Sequence, residues 1–100
     1  MFQDCYEINR TFDSVYEEIT RTLSNVLVMR DLQEKQHRVV FDCKMSDNVC
    51  LDLSCNYHYE LRPTTNLAIK FTTYRPTQED IALYTLLHSI IQDKIKCWSE

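Results

Sequence analysis

The sequence predicts an α+β domain, a two-layer α-β-β-β-α arrangement in which two helices cover one face of an antiparallel three-stranded sheet. Three patterns point there. Apolar residues recur at three- and four-residue steps between Phe12 and Leu27. From His37 the period drops to two, and behind Pro76 a second run of helical period begins.

The first helix is signalled by Ser14-Val15-Tyr16-Glu17, a capping-box pattern in which serine and glutamate satisfy each other's unpaired backbone donors. Phe12, Val15, Tyr16, Ile19, Leu23, Val26 and Leu27 then form one apolar stripe, with Glu17 and Arg21 a turn apart on the wet side. The polar stretch 31–36 ends or frays this helix. In the first strand Val39, Phe41, Cys43 and Met45 alternate with Arg38, Val40, Asp42 and Lys44. Ser46-Asp47-Asn48 supplies turn-forming side chains, so a tight hairpin follows.

The second strand is expected over residues 49–61. Val49, Leu51, Leu53, Cys55, Tyr57, Tyr59 and Leu61 occupy the odd positions, and polar residues and Cys50 the even ones. Such a run is longer than the usual 3–10 residues, so a bend is expected near Ser54–Asn56. After the loop 62–66, Leu67, Ile69 and Phe71 make a third strand. Thr77 is the candidate N-cap of the last helix, with Asp80 three residues on. Glu79 and Asp80 suit its positive start, and Lys94 and Lys96 its negative end. Leu83, Tyr84, Leu87, Ile90, Ile91 and Ile95 supply its apolar face. Both helices belong on the side of the odd-numbered strand residues. The opposite face would carry Arg38, Asp42, Lys44, Cys50, Asp52, His58, Glu60, Arg62, Lys70 and Tyr74, open to water or to a partner.

Composition narrows the function. One hundred residues suit a single domain spanning 1–100, with no repeat or linker. Fifteen acidic residues against eleven basic, a net charge of −4, argue against a generic polyanion-binding surface. The chain contains no glycine, which removes every glycine-dependent phosphate loop or nucleophile elbow. No apolar run reaches the ~20 residues needed to cross a bilayer, so no membrane partner is expected. Five cysteines without a CxxC pair fit a reducing cytoplasm or nucleus.

Candidate chemistry is sparse. Cys43, Cys50, Cys55 and His58 lie close in sequence, but alternation sends Cys43 and Cys55 to one face and Cys50 and His58 to the other, so no metal site is expected. Cys50, His58, Asp52 and Glu60 share a face, yet without oxyanion donors or a pocket they make no catalytic set. Neither catalytic residues nor a cofactor are therefore expected. Arg38, Lys44, Arg62 and Lys70 could track RNA phosphates, although Asp42, Asp52 and Glu60 stand among them.

From residue 35 onward, Arg38-Val39-Val40-Phe41, the turn Ser46-Asp47-Asn48 leading into Val49-Cys50-Leu51, and Lys70-Phe71-Thr72-Thr73 followed by Glu79-Asp80-Ile81 resemble the small Alu-domain subunits of the signal recognition particle, the 9-kDa type. The resemblance implies the same helix–three strands–helix order, pairing with a related subunit, and RNA bound on the joined sheets. The reading that the residues favour is a non-enzymatic protein–protein interaction module, a small subunit or adaptor using its open sheet face or an edge strand. His58, Arg62, Lys70 and Tyr74 would make the partner contacts, and the partner would be another subunit, like or unlike. The alternative is an RNA-binding heterodimeric subunit of the Alu type.

Overall fold

The computed structural model describes residues 3–56 and 64–98. Their order is β1 (Gln3–Ile8), α1 (Phe12–Thr22), β2 (Leu27–Gln33), a short 3-10 turn (Glu34–Gln36), β3 (Arg38–Cys43), β4 (Ser46–Asn56), β5 (Thr64–Phe71) and α2 (Gln78–Trp98). All pairings are antiparallel, and the strands lie in the order β1-β5-β4-β3-β2. The sheet therefore has five strands, not the expected three. This corrects both the α-β-β-β-α arrangement and the order that the Alu-subunit resemblance implies. Two strands were missed, one before the first helix and one after it.

Each omission has a physical cause. In β1 the acids Asp4 and Glu7 mask an alternation in which Tyr6 and Ile8 turn toward the helices while Gln3, Cys5 and Glu7 point away. In β2 the pairing with β3 slips between Met29 and Asp31, and the extra residue, Arg30, breaks the period of two. Leu27 and Leu32 reach the helix side only because of that slip. Val26 and Leu27 continue the spacing of α1 by coincidence; the helix stops at Thr22, and the backbone N–H of Leu23 closes it on Ile19.

Helix α1 starts earlier than expected. Thr11, not Ser14, is its N-cap, and its hydroxyl accepts from the Ser14 N–H at 3.3 Å. The expected Ser14–Glu17 box thus lies inside the first turns. Phe12, Val15 and Ile19 bury one face, while Arg21 pairs with Glu18 on the other. The β3–β4 turn is also displaced: Cys43 pairs with Ser46, leaving Lys44 and Met45 at the corner, and the register shifts again before Asp42 meets Cys50.

Thr77 and Asp80 cap α2 as the sequence predicts. The Asp80 N–H donates to Thr77 Oγ1 at 3.1 Å, and the Thr77 N–H donates to Asp80 Oδ2 at 2.9 Å. Leu83, Leu87 and Ile91 of α2 join Val15, Ile19, Val39, Val49, Leu51, Leu53, Leu67 and Ile69 in one core between the sheet and the helices. Both helices lie on this one side. Tyr84 locks α2 to the sheet by donating its hydroxyl to Asp4 at 2.7 Å, with its ring stacked 4.3 Å from Phe71. Lys94 reaches Glu18 at 3.5 Å and ties the two helices together.

Candidate functional site

No described element covers the opposite side of the sheet, so its composition can be read directly. Asp52 stands at its middle, on β4. Arg38 of β3 holds it with two donors, Nη2 at 2.9 Å and Nε at 3.3 Å, and Lys70 of β5 reaches the same carboxylate at 3.3 Å. Burial pushes the Asp52 carboxyl up, but the hydrogen bonds and charges of Arg38 and Lys70 outweigh it and hold the group below its ordinary range. Arg30 of β2 pairs with Asp42 of β3 at 3.4 Å. Toward β1 the face hollows into a shallow basin of about 470 Å³ lined by Cys5, Asp52, Ser54, Asn66, Ala68 and Lys70.

Of the expected partner contacts, Lys70 and Tyr74 lie among the described residues. Lys70 is committed to Asp52. Tyr74 is not on the sheet face at all: it lies in the loop after β5 and is 85% exposed. His58 and Arg62 lie outside the described residues. Of the residues proposed to touch RNA, Arg38 and Lys70 converge on one carboxylate and Lys44 occupies the β3–β4 corner. The long strand β4 is central, paired on both sides. The edges belong to β1 and β2.

Among the described residues there is no group of three or more histidine, cysteine or acidic side chains placed to hold an ion. Cys43 is buried in the core and Cys50 is buried between neighbouring strands on the other face. Burial pushes the Cys43 thiol up to about 11 and raises those of Cys50 and Cys55. Cys5 and Cys97 are exposed. In the native protein a thiol reagent such as DTNB is therefore expected to label two cysteines rapidly, Cys55 more slowly, and Cys43 and Cys50 only on unfolding. Rapid labelling of all five would contradict this packing.

A second surface went unrecognised in the sequence. Among the described residues, six large hydrophobic side chains are exposed; Met45 at 84% and Leu86 at 52% share one groove, while Ile81 at 48% lies on the other flank of α2 and Tyr74 at 85% in the loop before it. Met45, Ala82, Leu83 and Leu86 line an apolar groove of about 330 Å³ between the β3–β4 corner and the helix. The remaining two, Val28 and Met29, sit on β2 beside Asp42 and Phe41, toward the same end of the sheet. Asp80 draws this end together, accepting from Ser46 Oγ at 2.5 Å and Asn48 Nδ2 at 3.0 Å, so the groove walls are fixed to one another. Periodicity assigns Leu86 and Ile81 to opposite flanks of an amphipathic helix; the hairpin corner turns the Leu86 flank into the groove, while Ile81 lines a separate hollow with Gln3, Asp4, Phe71 and Tyr84.

No protein-family model, curated protein or solved structure matches the chain. Among the described residues, no helix is long and apolar enough to cross a membrane.

Proposed function

We propose that this chain is a non-enzymatic interaction module, a small subunit or adaptor that binds another protein through the apolar end formed by the β3–β4 corner and the first half of α2. The observation that carries this reading is the apolar groove in which the exposed Met45 and Leu86 meet Ala82 and Leu83 at one braced end of the molecule. Contiguous apolar surface of this kind is uncommon on isolated soluble domains and marks association sites. The groove is apolar apart from Ser46 and Glu79, which suits a partner that inserts aliphatic side chains and sets a basic group beside Glu79.

The Alu-type alternative draws on the sequence resemblance, but two of its basic residues are engaged by Asp52 in the structure. It would require RNA binding that weakens with salt and with Lys44→Ala.

The experiment compares the proteins retained by the full-length chain with those retained by Leu86→Glu and Met45→Glu, using Asn66→Asp on the open face as a control. A bound protein is identified, purified and titrated against each variant. Because Met45 and Leu86 are exposed, the thermal midpoints should stay close to that of the parent chain. Affinity should fall at least tenfold for the groove variants and not for the control. Equal affinity for all three variants would overturn the groove as the binding surface.

A further inference from the structure

We infer that the outer edge of β1 pairs with the same edge of a second copy of this chain, joining two five-stranded sheets across a two-fold axis at Cys5. The inference begins with hydrogen-bond phase. In antiparallel pairs a residue turns both its N–H and its C=O toward the same neighbour. The Thr72 N–H donates to the Asn48 carbonyl at 2.8 Å, which sets the even-numbered residues of β5 toward β4 and the odd ones toward β1. Their partners Asp4, Tyr6 and Ile8 therefore face inward. Gln3, Cys5 and Glu7 are left presenting their backbone donors and acceptors to the open edge.

The two edges of the sheet differ in how they are guarded. β2 carries an irregularity at Arg30 and consecutive charges at Arg30 and Asp31, devices that discourage further pairing. β1 pairs with β5 without a slip over six residues and contains neither proline nor lysine. It is a regular edge, whose charges are the separated acids Asp4 and Glu7.

Self-complementarity selects both the partner and the register. A two-fold axis normal to the sheet must pass through a residue, since an axis between residues would oppose side chains from different faces. Passing through Asp4 or Glu7, it would set that acid against itself. Through Tyr6, it would oppose Asp4 with Ile8, a residue already 2% exposed. Through Cys5, Gln3 faces the partner's Glu7 and Asp4 faces the partner's Tyr6, so no like charges stand directly opposite, and the two Asp4 side chains are diagonal neighbours. All three outward-facing residues then find outward-facing counterparts, so the backbone bonds form in pairs. An independent observation agrees: the Tyr6 hydroxyl is buried with no hydrogen-bond partner among the described residues, and this register brings a second carboxylate, the partner's Asp4, to its side of the sheet.

The test uses the whole chain. Sedimentation across roughly 5–500 µM should show a rise from 12.0 kDa toward twice that mass, as expected of a modest interface. A short bismaleimide should cross-link the parent chain and Cys97→Ser but not Cys5→Ser. Cys5→Pro removes only an N–H that faces outward, so the pairing of β1 with β5 survives while dimerisation is lost. Should that variant fold poorly, Cys5→Lys places two like charges on the axis and is expected to lower association at least tenfold. A single 12.0 kDa species at every concentration, cross-linking through Cys97 alone, or dimers unaffected by both Cys5→Pro and Cys5→Lys would each overturn the inference. None of these outcomes bears on the groove beside α2, which lies on a different surface.

Discussion

Leu51→Ala is expected to destabilise the protein by about 3–4 kcal/mol and to lower its thermal midpoint by roughly 15 °C or more. Leu51 has no exposed surface and lies on the central strand, with Phe41 beside it on β3 and Ile69 on β5. Both neighbours are fixed by strand pairing on two sides, so the cavity left by a truncated side chain cannot collapse by moving β4. That rigidity places the substitution well up the range of about 2–5 kcal/mol seen for Leu→Ala in cores. With total stability of small domains at about 5–15 kcal/mol, a large part of the margin disappears. Chemical denaturation of the two proteins measures the difference. A loss below about 1 kcal/mol would mean that β4 is not the centre of the sheet. Val28→Ala, at a half-exposed edge position, serves as the comparison and should change little.

The second large effect is expected at Asp80. The side chain is 4% exposed and accepts hydrogen bonds from Ser46, Asn48 and the Thr77 N–H, so one carboxylate serves as both helix cap and clamp on the β3–β4 corner. Asp80→Ala removes all of these acceptors together and should lower the midpoint by roughly 5–10 °C. The Ser46 hydroxyl first, then the Thr77 N–H and with them the Asn48 amide, hold the carboxyl down at about 2, against the opposing push of burial. The sign follows. A carboxyl whose folded value lies below its unfolded one, near 3.8, adds stability above that pH and loses the contribution as pH falls toward about 2. The stability gap between parent and Asp80→Ala should therefore be widest above pH 4 and narrow on acidification through that window. A gap that stayed constant down to pH 2 would show that the charge is not what holds the corner. Asp80→Asn keeps one acceptor oxygen and the shape, and should fall between the two.

The strands and helices most legible in the sequence were those buried on one face without interruption. β3, β4 from Val49, β5 from Leu67 and the register of α2 follow from period and from the Thr77–Asp80 cap, because alternation over Val39–Cys43 and Val49–Cys55 is a direct image of a half-covered sheet; Thr64–Asn66, expected in a loop, and Ser46–Asn48, expected in a turn, are strand. β1 and β2 were illegible for different reasons. The first hides its apolar positions among acids. The second carries Arg30 as an extra residue, so its apolar side chains follow neither a period of two nor one of three to four. The open face was legible as a list of residues but not as a pattern of charge: alternation places Arg38, Asp52 and Lys70 on one side, and only the register makes Asp52 the shared partner of the other two. The apolar groove was invisible because it joins a corner and a helix more than thirty residues apart.

The strand order has a consequence for biosynthesis. Gln3–Ile8 leaves the ribosome before the other described strands, yet its partner in the sheet is β5, delivered roughly sixty residues later. Until then the nascent chain holds an amino-terminal ribbon whose apolar side, Tyr6 and Ile8, has nothing to rest on. The hairpins of β2, β3 and β4 can close locally in the meantime, but β1 closes last, at the largest loop-closure cost in the described sheet. A released chain that ends before Thr64 should therefore leave Gln3–Ile8 open to protease while Val39–Leu53 is better protected.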